Sequence, residues 1–190
     1  MAARGAEPDG GEPLVLLVLS VGGRELAVPA EAVVEVARPG TVTPLAGAPP
    51  WVRGVAAVRG AILPVVDLGA RWRGAADRGG GVDPASDRWV VVVADGRRRA
   101  ALAGAVVRAV ATAAEPARPG QPAAGSPEGA GALPWRGTVR PRREGGADGA
   151  ADALPLLDVR ALLDELLEER SESAGDGLSP GGREGAPNHD

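Results

Sequence analysis

The side chains able to make or break bonds are few in this 190-residue chain. Cysteine and lysine are absent, and the one histidine is His189, next to the C-terminus. Thiol catalysis, disulfide frameworks, Cys/His zinc sites and lysine-dependent phosphate loops therefore lack their groups. Gly79-Gly80-Gly81 does not stand in a phosphate-loop pattern. The carboxylates that remain have structural explanations. Asp67 and Asp158 each follow Leu-Pro and two apolar residues, where a side-chain oxygen is needed to cap a helix. Asp164, Glu165, Glu168 and Glu169 lie off an apolar stripe and read as a solvated helix face. Arg97-Arg98-Arg99 reads as an exposed hairpin arm protected by charge, with an anionic docking patch as the alternative. No nucleophile with its base, no carboxylate pair and no ligand set for a metal or cofactor emerges, so an enzyme is not expected.

Composition narrows the classes further. Hydrophobic residues make up 44% and charged residues 24%, enough for a buried core. The net charge of −4 is concentrated in the ends: residues 1–12 carry −2 and 171–190 carry −3, which leaves the middle near neutral. A dedicated nucleic-acid binder would show a basic face instead. No run reaches the roughly 18 apolar residues of a membrane span, and no secretory leader is visible, so the expected location is the cytoplasm.

The elements around these residues are mostly strands. Leu14–Val21 is a continuous apolar run that stops at Gly22-Gly23 and resumes at Arg24, the pattern of a two-residue hairpin. Trp89–Ala94, Asp95-Gly96 and Arg97–Ala103 repeat it, with the turn expected at Asp95-Gly96. A shift of 73 residues superposes the two hairpins and also places Ala32-Val33-Val34 on Ala105-Val106-Val107. Pro50-Trp51-Val52-Arg53-Gly54 is echoed by Pro134-Trp135-Arg136-Gly137, and Leu63–Leu68 by Leu154–Val159. The ordered succession indicates a duplicated small β unit.

Further expectations follow from the same patterns. The prolines of the Leu-Pro-x-x-Asp runs imply edge strands or strand beginnings, because proline cannot donate to a ladder. Asp67 opens a short helical turn; Asp158 opens a helix whose buried stripe is Val159, Leu162, Leu163, Leu166 and Leu167, ending near Arg170. The four tryptophans, 51, 72, 89 and 135, are the only aromatics and are expected to plug the core. Residues 1–12 and 171–190 are expected to be disordered tails, and 116–131 and 145–149 low-complexity loops inside a domain spanning 13–170.

The run Thr43–Trp72, TPLAGAPPWVRGVAAVRGAILPVVDLGARW, resembles CheW-like domains, the coupling modules of bacterial chemosensory arrays. The preceding hairpin and AEAVVEVA fit that family's opening strands, and PWRGTV and ALPLLDVRALL extend the likeness through the second half. The resemblance implies a mainly β fold of two intertwined five-stranded SH3-like barrels with a C-terminal helix. It also implies a non-catalytic adaptor that binds the cytoplasmic tip of chemoreceptors (methyl-accepting proteins) and the regulatory domain of a CheA-type histidine kinase, without direct membrane insertion. Receptor-binding positions of the family carry over onto Val33, Glu35, Arg59 and Gly60. Ala57 stands where the family's Asn-Leu-Arg-Gly motif has its asparagine. The alternatives are a CheW-like scaffold that binds the kinase alone and, from another class, a small-molecule-binding β-barrel.

Overall fold

The computed structural model describes residues 13–73, 88–113, 133–142 and 153–175. The expected loops at 116–131 and 145–149, the tail at 1–12, the part of the 171–190 tail beyond residue 175, and His189 lie outside the described residues.

Among the described residues, ten strands form two five-stranded sheets. The first half of the chain supplies β1 (Leu14–Val21), β2 (Arg24–Pro29), β3 (Val33–Ala37), β4 (Val52–Val58) and β5 (Ala61–Asp67), followed by helix α1 (Leu68–Arg73). The second half supplies β6 (Val90–Asp95), β7 (Arg98–Ala103), β8 (Val106–Ala113), β9 (Trp135–Val139) and β10 (Leu154–Leu157), followed by helix α2 (Val159–Gly175). One sheet has the order β8-β1-β2-β10-β9 and the other β3-β6-β7-β5-β4. Replacing each strand by its counterpart in the other half converts one order into the other. The duplicated units have exchanged their leading hairpins, so that β1-β2 completes the barrel of the second half and β6-β7 that of the first.

The apolar runs follow from this exchange, since alternate residues of a strand face opposite sides. Leu16 and Val18 of β1 enter the interior of their own barrel, while Leu17, Leu19 and Val21 face a core between the barrels. In β6, Val90 and Val92 face the other barrel's interior and Val91 and Val93 the shared core. Both faces are buried, which is why neither strand alternates apolar with polar residues. Val159, Leu162 and Leu163 of α2 join the shared core, and Leu162 is wholly inaccessible.

The two caps form as expected. The Ala70 N–H donates to Asp67 Oδ1 at 2.8 Å and the Ala161 N–H to Asp158 Oδ1 at 2.9 Å. The duplication also preserves a strained device. Gly54 and Gly137 have φ of 139° and 152°, and each sits at a break in strand register. A Cβ on Gly54 would stand 2.1 Å from the Thr43 carbonyl oxygen, so a side chain is excluded. Thr43 and Val55 exchange backbone hydrogen bonds of 2.8 and 2.9 Å, and Gly40 donates to the Ala57 carbonyl at 2.9 Å. These bonds close the β3-β4 side of the barrel.

Several expectations are corrected. Neither proline is in an edge strand, since β5 lies between β7 and β4 and β10 between β2 and β9; Pro155 is nonetheless near a strand beginning, as the second residue of β10. Both prolines are tolerated because the parallel ladders begin one residue later, at Val65 and Leu156, where β7 and β2 first pair. The second hairpin turns at Gly96-Arg97, since Asp95 pairs with Arg98. Only Gly96 has positive φ there, the pattern of a type II′ turn, which asks for glycine at its first central position. Trp51 and Trp72 are buried and the half-buried Trp135 packs against the same core, but Trp89 is 43% exposed beneath the Arg38 guanidinium, 4.8 Å from its ring centroid. Helix α2 runs to Gly175 instead of stopping near Arg170, because the intervening Ser and Glu residues contain no breaker before that glycine. Leu167, placed on the buried stripe from sequence, is 51% exposed.

Candidate functional site

Strand β3 is an edge strand in sheet order, and its register shifts between Val33 and Glu35. Val34 and Val36, alternate residues of the strand, share its outer face at 47% and 39% exposure, with Glu35 between them. Val33 is half-buried and packs against the shared core.

Arg59 reaches Glu35 from the β4-β5 hairpin. Val58 pairs with Ala61, so the two-residue turn is Arg59-Gly60. Both residues have positive φ, 45° and 85°, as a type I′ turn requires. Arg59 is the only non-glycine with positive φ among the described residues, in a region that disfavours side chains with a Cβ. Gly60 is there for its backbone alone, because nothing stands within 4 Å of where its Cβ would be. The Arg59 Nε donates to Glu35 Oε2 in an ion pair whose side chains are 74% and 26% exposed. Exposed ion pairs of this kind stabilise a fold by roughly 0–1 kcal/mol, less than the cost of a left-handed arginine. The ion pair therefore does not offset the backbone cost of an arginine at this position.

Three of the four residues carried over from the resemblance, Glu35, Arg59 and Gly60, thus come together, and Val33 anchors the same strand from below. Ala57 is exposed, and its carbonyl is occupied by Gly40. Further ion pairs escaped the sequence reading. Asp67 accepts from Arg53 Nε at 2.8 Å while it caps α1, so one carboxylate serves two partners. Arg98, read as part of an exposed arm, instead pairs with Asp95 and with Asp164 of α2, and both carboxylates raise its already high pKa. Arg71 binds Glu165 of α2 and lies over the Trp51 ring at 4.8 Å. The only signal for these pairs in the sequence is charge, which names no partner.

No group of three or more His, Cys, Asp or Glu side chains able to hold a metal ion exists among the described residues. No helix there is long and apolar enough to cross a membrane.

Two SH3-like barrels that exchange their leading hairpins and share one core define the fold class of this chain. A family model described as "CheW-like domain" matches residues 15–167, and the chain belongs to that family. Protein FrzA of Myxococcus xanthus is 50% identical over 48 residues, which cover 25% of this chain and 30% of FrzA. The scaffolding protein TtCheW from Thermoanaerobacter tengcongensis has the same fold, with a TM-score of 0.60 at 17% identity over 82% of this chain and 91% of that one.

Proposed function

We propose that this chain is a non-catalytic, cytoplasmic adaptor of chemosensory signalling that couples chemoreceptors to a CheA-type histidine kinase at receptor arrays. The observation that carries the reading is the family match, which runs through both barrels and into α2. The local geometry supports it. Val34 and Val36 supply exposed apolar contact, and the Glu35–Arg59 pair supplies charged donors and acceptors that fix the register of a helical receptor tip. Each contact can be weak, because an array multiplies many of them through avidity.

The test is a pull-down and titration with a receptor cytoplasmic tip and, separately, with the kinase regulatory domain, using wild type and Arg59→Glu. The expected result is that wild type binds both, and the variant loses the receptor while keeping its fold and the kinase. Wild type that binds the kinase alone would replace this reading with a kinase-only scaffold. A folded variant that binds receptor normally would remove Arg59 from the site.

A further inference from the structure

A second surface stands apart in composition from the Glu35–Arg59 turn and shares no residue with it. A groove of about 610 Å³ opens between the loop at Leu45–Pro49, strands β4 and β5, the β6-β7 turn and helix α2. Val52, Pro64 and Leu163 line it. Ile62, Leu167 and Leu45 also line it and remain 68%, 51% and 43% exposed. Ile62 points outward because its neighbour Leu63 enters the barrel core. A single exposed leucine needs no explanation, but three large apolar side chains gathered around one groove mark a binding patch.

The same groove carries Arg97 and Arg99, both exposed and neither engaged in an ion pair among the described residues. Arg98 between them is consumed by Asp95 and Asp164. The site therefore offers an apolar trough beside two arginines that have no ion-pair partner among the described residues. The geometry points to a docking groove for an amphipathic helix whose apolar stripe is flanked by acidic residues. Three observations favour that occupant. An apolar lining gives a phosphodiester backbone nothing to bind, and two arginines make a poor nucleic-acid face. A small ligand sunk among Val52, Pro64 and Leu163 would leave Ile62, Leu45 and Leu167 wet, whereas an elongated one covers them. Strand addition lacks a free ladder here, because β4 bonds to β5 on one side and at Val55 to Thr43 on the other.

The probe is a synthetic amphipathic helix of about five turns, long enough to be helical in water, with leucines at i, i+3, i+4 and i+7 and flanking glutamates. A twin carries lysine in place of glutamate. Both are titrated into the full chain by fluorescence anisotropy and amide chemical-shift mapping. The acidic helix is expected to bind and to shift Ile62, Arg97, Arg99, Leu166 and Leu167. The lysine twin, the Arg97→Glu/Arg99→Glu double variant and Ile62→Asp should each weaken binding by about tenfold or more. Arg97→Gln/Arg99→Gln serves as a second variant should the glutamate form unfold, with circular dichroism melts reporting folding. Arg59→Glu should bind the acidic helix as wild type does, which separates this groove from the receptor reading. Equal affinity for both helices, no binding, shifts confined elsewhere, or an anionic apolar dye that fills the groove and resists displacement by the acidic helix would overturn the proposal.

Discussion

Arg59 and Glu35 meet across the barrel closure, from a two-residue turn and a bulged edge strand that lie 24 positions apart in sequence. The arginine is held in left-handed backbone, while its ion pair faces water. Arg59→Gly relieves the backbone and removes the pair, so its unfolding free energy should stay within about 1 kcal/mol of wild type. The same variant should lose receptor binding in the pull-down. A large loss of stability would instead make Arg59 a structural residue.

Gly54 and Gly60 both have positive φ but differ in surroundings. Gly54→Ala drives a Cβ into the Thr43 carbonyl and should cost more than about 3 kcal/mol, visible as a collapse of the thermal transition. Gly60→Ala meets open space and should cost only about 1–2 kcal/mol of backbone strain.

Asp67 holds the N-terminus of α1 and the half-buried Arg53 together. Asp67→Ala removes the cap and leaves the guanidinium without this partner, an expected loss of about 2–3 kcal/mol in urea unfolding. Asp67→Asn keeps an oxygen for the Ala70 N–H and should fall between that variant and wild type.

Leu162 is wholly buried where α2 meets the core between the barrels. Leu162→Ala should cost about 2–5 kcal/mol. Tryptophan fluorescence and circular dichroism should still report one common transition, because the damaged core belongs to both barrels. Two separated transitions would show that the barrels unfold independently.

The parts of this fold legible in the sequence are those set by neighbouring residues. Gly22-Gly23 fixed the first hairpin, Asp67 and Asp158 the helix starts, and the ordered echo of Pro-Trp and Leu-Pro-x-x-Asp the duplication. The pairing of β2 with β10 and of β5 with β7 is non-local, and so the internal position of Pro64 and Pro155 was invisible. The Arg59-Gly60 turn lacked the Asn or Asp that usually announces a type I′ hairpin. Within the candidate site, the residue types came from family likeness, while the contact between Glu35 and Arg59 required the barrel to close first. Trp89 and Leu167 misled because periodicity assigns a face without saying whether another element covers it.

The traded hairpins make the chain mechanically indivisible. Neither half owns a complete barrel, so fragments 1–73 and 88–190, made separately, would each expose a raw sheet edge and should be insoluble alone. Mixed during refolding, they should reassemble into one soluble heterodimer without any covalent link. By the same logic, a tug delivered to one barrel by a bound partner is passed directly into the backbone of the other.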